Sequence, residues 1–152
     1  MITIVDYGMG NLGSIQNMFK YIGVKAKIES DPDKIKNASR ILLPGVGSFD
    51  TAMKKIADNN LIEVLNEKAI NDQIPVLGIC LGMQILTNES EEGKLKGLGW
   101  IPAKSINFRS EVDKKLKVPH MGWNTVKNNR DSLLTSGFND FNEIRYYFVH
   151  SY

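Results

Sequence analysis

Between Met1 and Leu86 the chain repeats one local plan: a short apolar run, a glycine-bearing turn, then an apolar stripe at helical spacing. Ile2–Val5 is β-branched and ends in Asp6-Tyr-Gly-Met-Gly10, after which Leu12, Ile15, Met18, Phe19 and Ile22 form a stripe that stops at Gly23. Arg40–Leu43 ends in Pro44-Gly-Val-Gly47 and leads to Phe49, Ala52, Met53 and Ile56. Ile74–Ile79 carries Pro75 near its start, where a strand tolerates proline, and leads through Cys80 into the helix-like Leu81–Leu86. Lys25–Glu29 alternates polar and apolar as a further strand. Asp31-Pro32 has the form of an N-cap followed by proline at the first helical position. Leu61, Ile62, Leu65 and Ala69 make another helical stripe. Strands alternating with helices connect through right-handed crossovers, so the pattern predicts an α/β fold. Its core is a mainly parallel, doubly wound sheet with helices on both faces.

After Glu92 the pattern changes. Gly93, Gly97 and Gly99 mark loops, and Ser105–Phe108, Val118–Val126 and Ile144–His150 read as strands without long helices between them. This half is expected to be more antiparallel, as a β extension of the same sheet. The run Lys114-Lys-Leu-Lys117 is diluted by Glu111 and Asp113, and reads as a solvated turn rather than a phosphate patch. With 152 residues the chain suits one domain, able to bury a core without staples. Lys plus Arg number 19 against 17 for Asp plus Glu, too even a balance for a nucleic-acid surface. No apolar run approaches the roughly 20 residues that span a bilayer, and no secretory signal opens the chain. One cysteine excludes an internal disulfide and points to a reducing, cytoplasmic compartment.

Three glycine turns are candidates for chemistry, and in a parallel sheet all three lie together at the carboxyl ends of their strands. Gly8-Met-Gly10-Asn-Leu-Gly13 matches G-x-G-x-x-G between a strand and a helix, and Glu29 ends the next strand. That is the layout of a dinucleotide site, with pyrophosphate on the helix N-terminus and an acid on the ribose. The same glycines also suit a plain tight turn. In Pro44-Gly45-Val46-Gly47 two glycines leave the backbone free to approach a ligand or rotate a peptide plane; an ordinary strand-to-helix turn has the same spelling. Gly78-Ile-Cys80-Leu-Gly82 has the pattern of a nucleophile elbow with cysteine in place of serine. Small residues two before and two after let strand and helix pass closely, so the side chain is pushed above the strand ends. The following helix start favours a thiolate, and the Leu81 N–H can donate to an oxyanion. A lone cysteine is otherwise most often a small buried hydrophobe.

Pro44-Gly-Val-Gly47, Gly78-Ile-Cys-Leu-Gly-Met-Gln84, Pro119-His-Met-Gly-Trp-Asn124 and Tyr147-Phe-Val-His-Ser-Tyr152 occur in that order. In this the chain resembles the class I, triad-type glutamine amidotransferases along its whole length. More narrowly, it resembles the glutaminase subunits of imidazole glycerol phosphate synthase. The resemblance implies hydrolysis of glutamine to glutamate and ammonia through a glutamyl thioester on Cys80, with no cofactor and no metal. It implies an oxyanion held by backbone N–H groups at Leu81, Val46 and Gly47, the Gly45–Gly47 strand needing a peptide flip to aim its donor. It assigns Gly47, Gln84, Glu92, Ser151 and Tyr152 to the glutamine substrate. Pro119, His120, Met121, Gly122, Trp123 and Asn124, with Gly10 and Asn11, would meet a (β/α)₈-barrel cyclase that receives the ammonia in a heterodimer. On that reading the G-x-G-x-x-G match is tight-turn geometry. A dinucleotide-binding domain, a silent docking subunit and a subunit serving another ammonia-using synthase are the alternatives.

One part of the family pattern is missing. The triad needs a histidine and a glutamate from a late His-Pro-Glu segment, since a cysteine nucleophile needs a base to form thiolate and to protonate departing ammonia. His120 and His150 are the two histidines, and neither precedes Pro-Glu. Tyr146–Tyr152 is an aromatic strand with no closing turn after it. The expectation is therefore a single amidotransferase domain, residues 1–152, without its C-terminal catalytic part, and inactive alone.

Overall fold

A computed structural model describes residues 1–111, 117–130 and 132–152. They divide into two units, Met1–Ile106 and Asn107–Tyr152. In the first, β1 (Ile2–Val5), α1 (Leu12–Tyr21), β2 (Ala26–Glu29), α2 (Pro32–Ile35), β3 (Ile41–Leu43), α3 (Phe49–Asp58), α4 (Leu61–Asn66) and β4 (Val76–Gly78) follow one another. The strands make a four-stranded parallel sheet in the order β2-β1-β3-β4. The chain moves outward from β1 to β2, then crosses back to β3, so the order reverses between β1 and β3. Open α/β sheets bind ligands outside the carboxyl ends of their strands at such a reversal.

Local chemistry accounts for the helix ends. The Asn11 side chain accepts from the Ser14 N–H at 3.2 Å and starts α1. Gly23, at φ +74°, ends it. Asp31 accepts from the Asp33 N–H at 3.0 Å ahead of Pro32, the cap that the Asp-Pro pair predicts. The pleat sorts neighbours onto opposite faces. Val5, Ile41 and Leu43 pack with Ile35, Phe49, Ile56, Leu61 and Leu65 in the main core. Ile4 and Leu42 are paired in register and equally buried on the other face, the side to which a right-handed crossover brings α1. No α1 residue is fully buried.

Several sequence expectations need correction. The strand expected over Ile74–Ile79 is confined to Val76–Gly78; Pro75 has no N–H to give a ladder and serves only as acceptor, from Ile41. The stripe reaching Ala69 leaves α-geometry after Asn66 and winds as a π-turn over Glu67–Asn71, where the largely buried Lys68 pairs with Asp72 at 2.5 Å. The helix after Cys80 is a single turn, α5 (Leu81–Gln84), so its dipole is small. Beyond it, β5 (Thr87–Ser90) and β6 (Ile101–Ser105) form a two-stranded ladder. That ladder, which the sequence pattern does not predict, is parallel and forms a sheet of its own rather than an extension of the main one. The strand expected at Ser105–Phe108 lies earlier, because Asn107 accepts from the Arg109 N–H at 2.9 Å and turns the chain into α6 (Phe108–Glu111).

In the second unit β7 (His120–Thr125) and β8 (Arg145–His150) pair antiparallel, His120 opposite His150 and Trp123 opposite Tyr147. This is the antiparallel pairing expected of the second half, with each strand a little shorter than its apolar run. Lys114, Lys115 and Leu116 of the expected basic turn lie outside the described residues. Among the described residues no helix is long and apolar enough to cross a membrane.

Candidate active site around Cys80

Cys80 stands at the exit of β4 with φ +55° and ψ −121°. An L-residue is strained in that region, by roughly 1–3 kcal/mol. The strain persists because the turn is fixed from both sides. Ile79 N–H donates to the Leu43 carbonyl at 3.1 Å, and Gly82 N–H to the Ile79 carbonyl at 2.9 Å. A Cβ on Gly82 would overlap the Leu43 carbonyl, and one on Gly78 would lie 2.5 Å from the Gly82 oxygen. These two positions must be glycine for strand and helix to cross so closely. The outcome is an exposed thiol held above the strand ends, which removes the buried-hydrophobe reading of the lone cysteine. Leu81 opens α5, where helix geometry leaves an N–H without an intrahelical acceptor.

The second glycine turn lies against this elbow. A Cβ on Gly45 would come within 2.9 Å of both the Gly82 nitrogen and the Leu81 Cβ. Gly47 takes φ +115°, and Val46 between them is exposed. The first glycine turn adjoins the second: the position of a Gly10 Cβ is 3.7 Å from the Pro44 ring. All three turns therefore gather at one end of the sheet, as their strand-end placement predicts. The first nevertheless lacks the packing that a dinucleotide fingerprint needs. Its third glycine should allow helix and strand to touch, yet a Cβ on Gly13 would meet nothing within 4 Å. Lys55 reaches the Gly8 carbonyl at 3.1 Å, tying the turn to α3 instead.

Residues 3–152 match the class-I glutamine amidotransferase family. The chain belongs to that family. It is 52% identical over 152 residues to "Imidazole glycerol phosphate synthase subunit HisH 2" of Methanococcus maripaludis, covering all of this chain and 73% of that protein. The protein of the same name in Pseudomonas aeruginosa is 45% identical with the same coverage. "Imidazole glycerol phosphate synthase subunit HisH" of Archaeoglobus fulgidus is 44% identical over 153 residues, covering 100% of this chain and 72% of that protein. A crystal structure of a glutamine amidotransferase superposes with a TM-score of 0.73 over 98% of this chain and 71% of the other at 13% identity, a likeness of fold.

Within this amidotransferase fold the other candidates have definite places. Gln84 ends α5, one turn after Cys80, and its side-chain Oε1 is buried without a hydrogen-bond partner. Buried polar atoms are nearly always paired, so this acceptor stands out beside the Cys80 turn. The Glu92 carboxylate accepts from the Phe49 N–H at 3.1 Å, which sets it at the start of α3, two residues from Gly47. Its loop is held by Asp50, which accepts from the Lys94 and Leu95 N–H groups at 2.9 and 3.0 Å. Those two bonds, Leu95 foremost, hold the Asp50 carboxyl below its ordinary range. Neither Asp50 nor the buried Tyr7 stands out in the sequence; each acts on a distant segment, which no local pattern reports. Asn11 is exposed and spends its side-chain oxygen on the α1 cap.

In the second unit Pro119 follows a cis peptide and His120–Asn124 lie in β7. Met121 and Trp123 are 60% and 69% exposed, and Trp123 meets Tyr147 edge-on at 5.6 Å. His120 Nδ1 and His150 Nε2 are 3.3 Å apart. Ser151 accepts from the Phe108 N–H through its carbonyl, and the Tyr152 carbonyl accepts from His150 Nδ1 at 2.9 Å. Among the described residues no cluster of three or more His, Cys, Asp or Glu side chains is arranged to hold a metal.

Proposed function

We propose that the chain is the nucleophile-bearing part of a glutaminase subunit of imidazole glycerol phosphate synthase. The observation that carries this reading is the strained, exposed Cys80 on its glycine elbow with the Gly45–Gly47 strand against it. The names of the relatives narrow the reading to this synthase. The Cys80 thiolate attacks the carboxamide carbon of glutamine, and the carbonyl electrons move onto oxygen. Backbone N–H groups of Leu81 and of the Val46–Gly47 segment take up that charge; one such donor contributes about 10²–10³ in rate. The C–N bond then breaks, the nitrogen leaves with an added proton as ammonia, and a thioester remains. Water attacks the thioester, releasing glutamate and the thiol.

Gln84, through its unpaired Oε1, Glu92 and Gly47 bind the substrate in this reading. Ser151 and Tyr152 are assigned to glutamine by family resemblance alone. Pro119–Asn124, with the exposed Met121 and Trp123, docks the barrel cyclase, and Gly10 and Asn11 join that contact. The general base belongs to a His-Pro-Glu segment that these 152 residues do not contain, so the domain formed by residues 1–152 is a part of the catalytic unit. The setting is the cytoplasm, and no cofactor takes part.

The test is glutamate release by the full-length protein in complex with its cyclase. Cys80→Ala is expected to abolish it, a loss of about 10⁴ or more. The 152-residue polypeptide alone is expected to show negligible turnover. Glutamine hydrolysis that survives Cys80→Ala would refute the reading.

A further inference from the structure

Tyr7 occupies the turn after β1, and its side chain is completely buried. Its hydroxyl donates to the Pro44 carbonyl at 2.5 Å, a bond that closes across 37 residues. Pro44 is the residue immediately before the Gly45-Val46-Gly47 strand. A Cβ on Gly45 would lie 2.7 Å from the Tyr7 hydroxyl oxygen and 2.9 Å from the Gly82 nitrogen. The Tyr7 hydroxyl and the start of α5 thus both lie against Gly45, the first glycine of that strand. The backbone of Tyr7 is tethered as well, its carbonyl accepting from the Asn59 side chain at 3.4 Å. Burial, and second to it the charge of Cys80, push the phenol up to about 12. It remains a protonated donor throughout the pH range in which enzymes work.

Proline fixes its own φ. A hydrogen bond on its carbonyl therefore fixes the other angle and holds the whole Pro44–Gly45 peptide plane. Rotation is left to the segment between Gly45 and Gly47, beside Cys80. We propose that Tyr7 is a positioning residue for the glutaminase reaction: its hydroxyl pins the Pro44 carbonyl and so sets the plane from which the Gly45–Gly47 strand presents its oxyanion donor. The inference rests on the glutaminase reading above. Tyr7 touches no substrate in this scheme and acts through the strand.

The experiment compares wild type with Tyr7→Phe in the full-length protein bound to its cyclase. Loss of the pin misaims a donor, so kcat for glutamate release falls about tenfold while KM for glutamine stays within about twofold. Alkylation of Cys80 by iodoacetamide keeps its rate, because sulfur displaces iodide there without forming a tetrahedral oxyanion. Incorporating 4-fluorophenylalanine at position 7 fills the hydroxyl's space without a proton to donate; it gives the same result and serves where Tyr7→Phe does not fold. A kcat equal to wild type, or alkylation falling in step with kcat, overturns the inference. An inactive wild-type complex overturns the glutaminase reading and this inference with it.

Discussion

The exits of β1 and β4 are both punctuated by glycine, and the two sets of glycines do different work. At the end of β4, Gly78 and Gly82 stand where any Cβ would run into backbone, from Gly82 in one case and from Leu43 in the other. At the end of β1, Gly13 faces open space, and Gly8 meets only the flexible end of Lys55. The first set is demanded by a crossing of strand and helix, and the crossing forces Cys80 into its strained conformation. The second set shapes a turn that is then tied down by side chains. A glycine motif thus identifies a site only where the backbone has no room for anything else.

Substitution at the two exits should separate them sharply. Gly82→Ala should have the largest effect, since backbone would have to move; a loss of about 3 kcal/mol or more by urea denaturation is expected, together with loss of glutaminase activity. A mild Gly82→Ala variant would break the comparison. Tyr7 ties the β1 exit to Pro44 at the end of β3 and gives an intermediate effect with a defined pH signature. Its folded pKa is raised from 10.0 to about 12, so the folded state holds a proton that the unfolded chain loses. The associated stability is complete below pH 10 and declines as pH rises through that window, by roughly 2–3 kcal/mol in all. Wild type should show this decline relative to Tyr7→Phe in alkaline unfolding curves. Parallel curves for the two would place Tyr7 in contact with solvent. Gly13→Ala should do least: it lies in the first turn of α1 with free space around it, and it is expected to change stability by at most about 0.5 kcal/mol, in the stabilising direction. A marked loss there would restore a packing role to the third glycine.

What could be read from the residues follows the same division. β1, α1, β3 and the Cys80 elbow each carry a short sequence signature, whatever distant contacts then fix them: β-branched runs, an Asn11 cap, glycines two positions either side of a cysteine. Local spelling reports such features. The β5–β6 ladder escaped because Thr87-Asn-Glu-Ser90 is polar, and its pairing depends on a partner beyond two glycine loops. The strand expected at Ser105–Phe108 ends at Ser105 because the Asn107 side chain accepts from the Arg109 N–H and turns the chain, which outweighs the short alternation of Ile106 and Phe108. Tyr7, Asp50 and the open Oε1 of Gln84 are legible only when segments more than thirty residues apart are brought together, or when a buried atom is found unpaired. The G-x-G-x-x-G match is the converse case: the spacing is present, the close packing that would give it a dinucleotide meaning is not, and the tight-turn reading fits it.

The central claim is that Cys80 is the nucleophile. Its most direct test is mass spectrometry of the full-length protein, in complex with its cyclase, after exposure to a glutamine-derived diazo-ketone. The account predicts a single covalent adduct on Cys80, slowed by added glutamine. No adduct on Cys80 in a complex that releases glutamate, or an adduct elsewhere that glutamine does not slow, would contradict it.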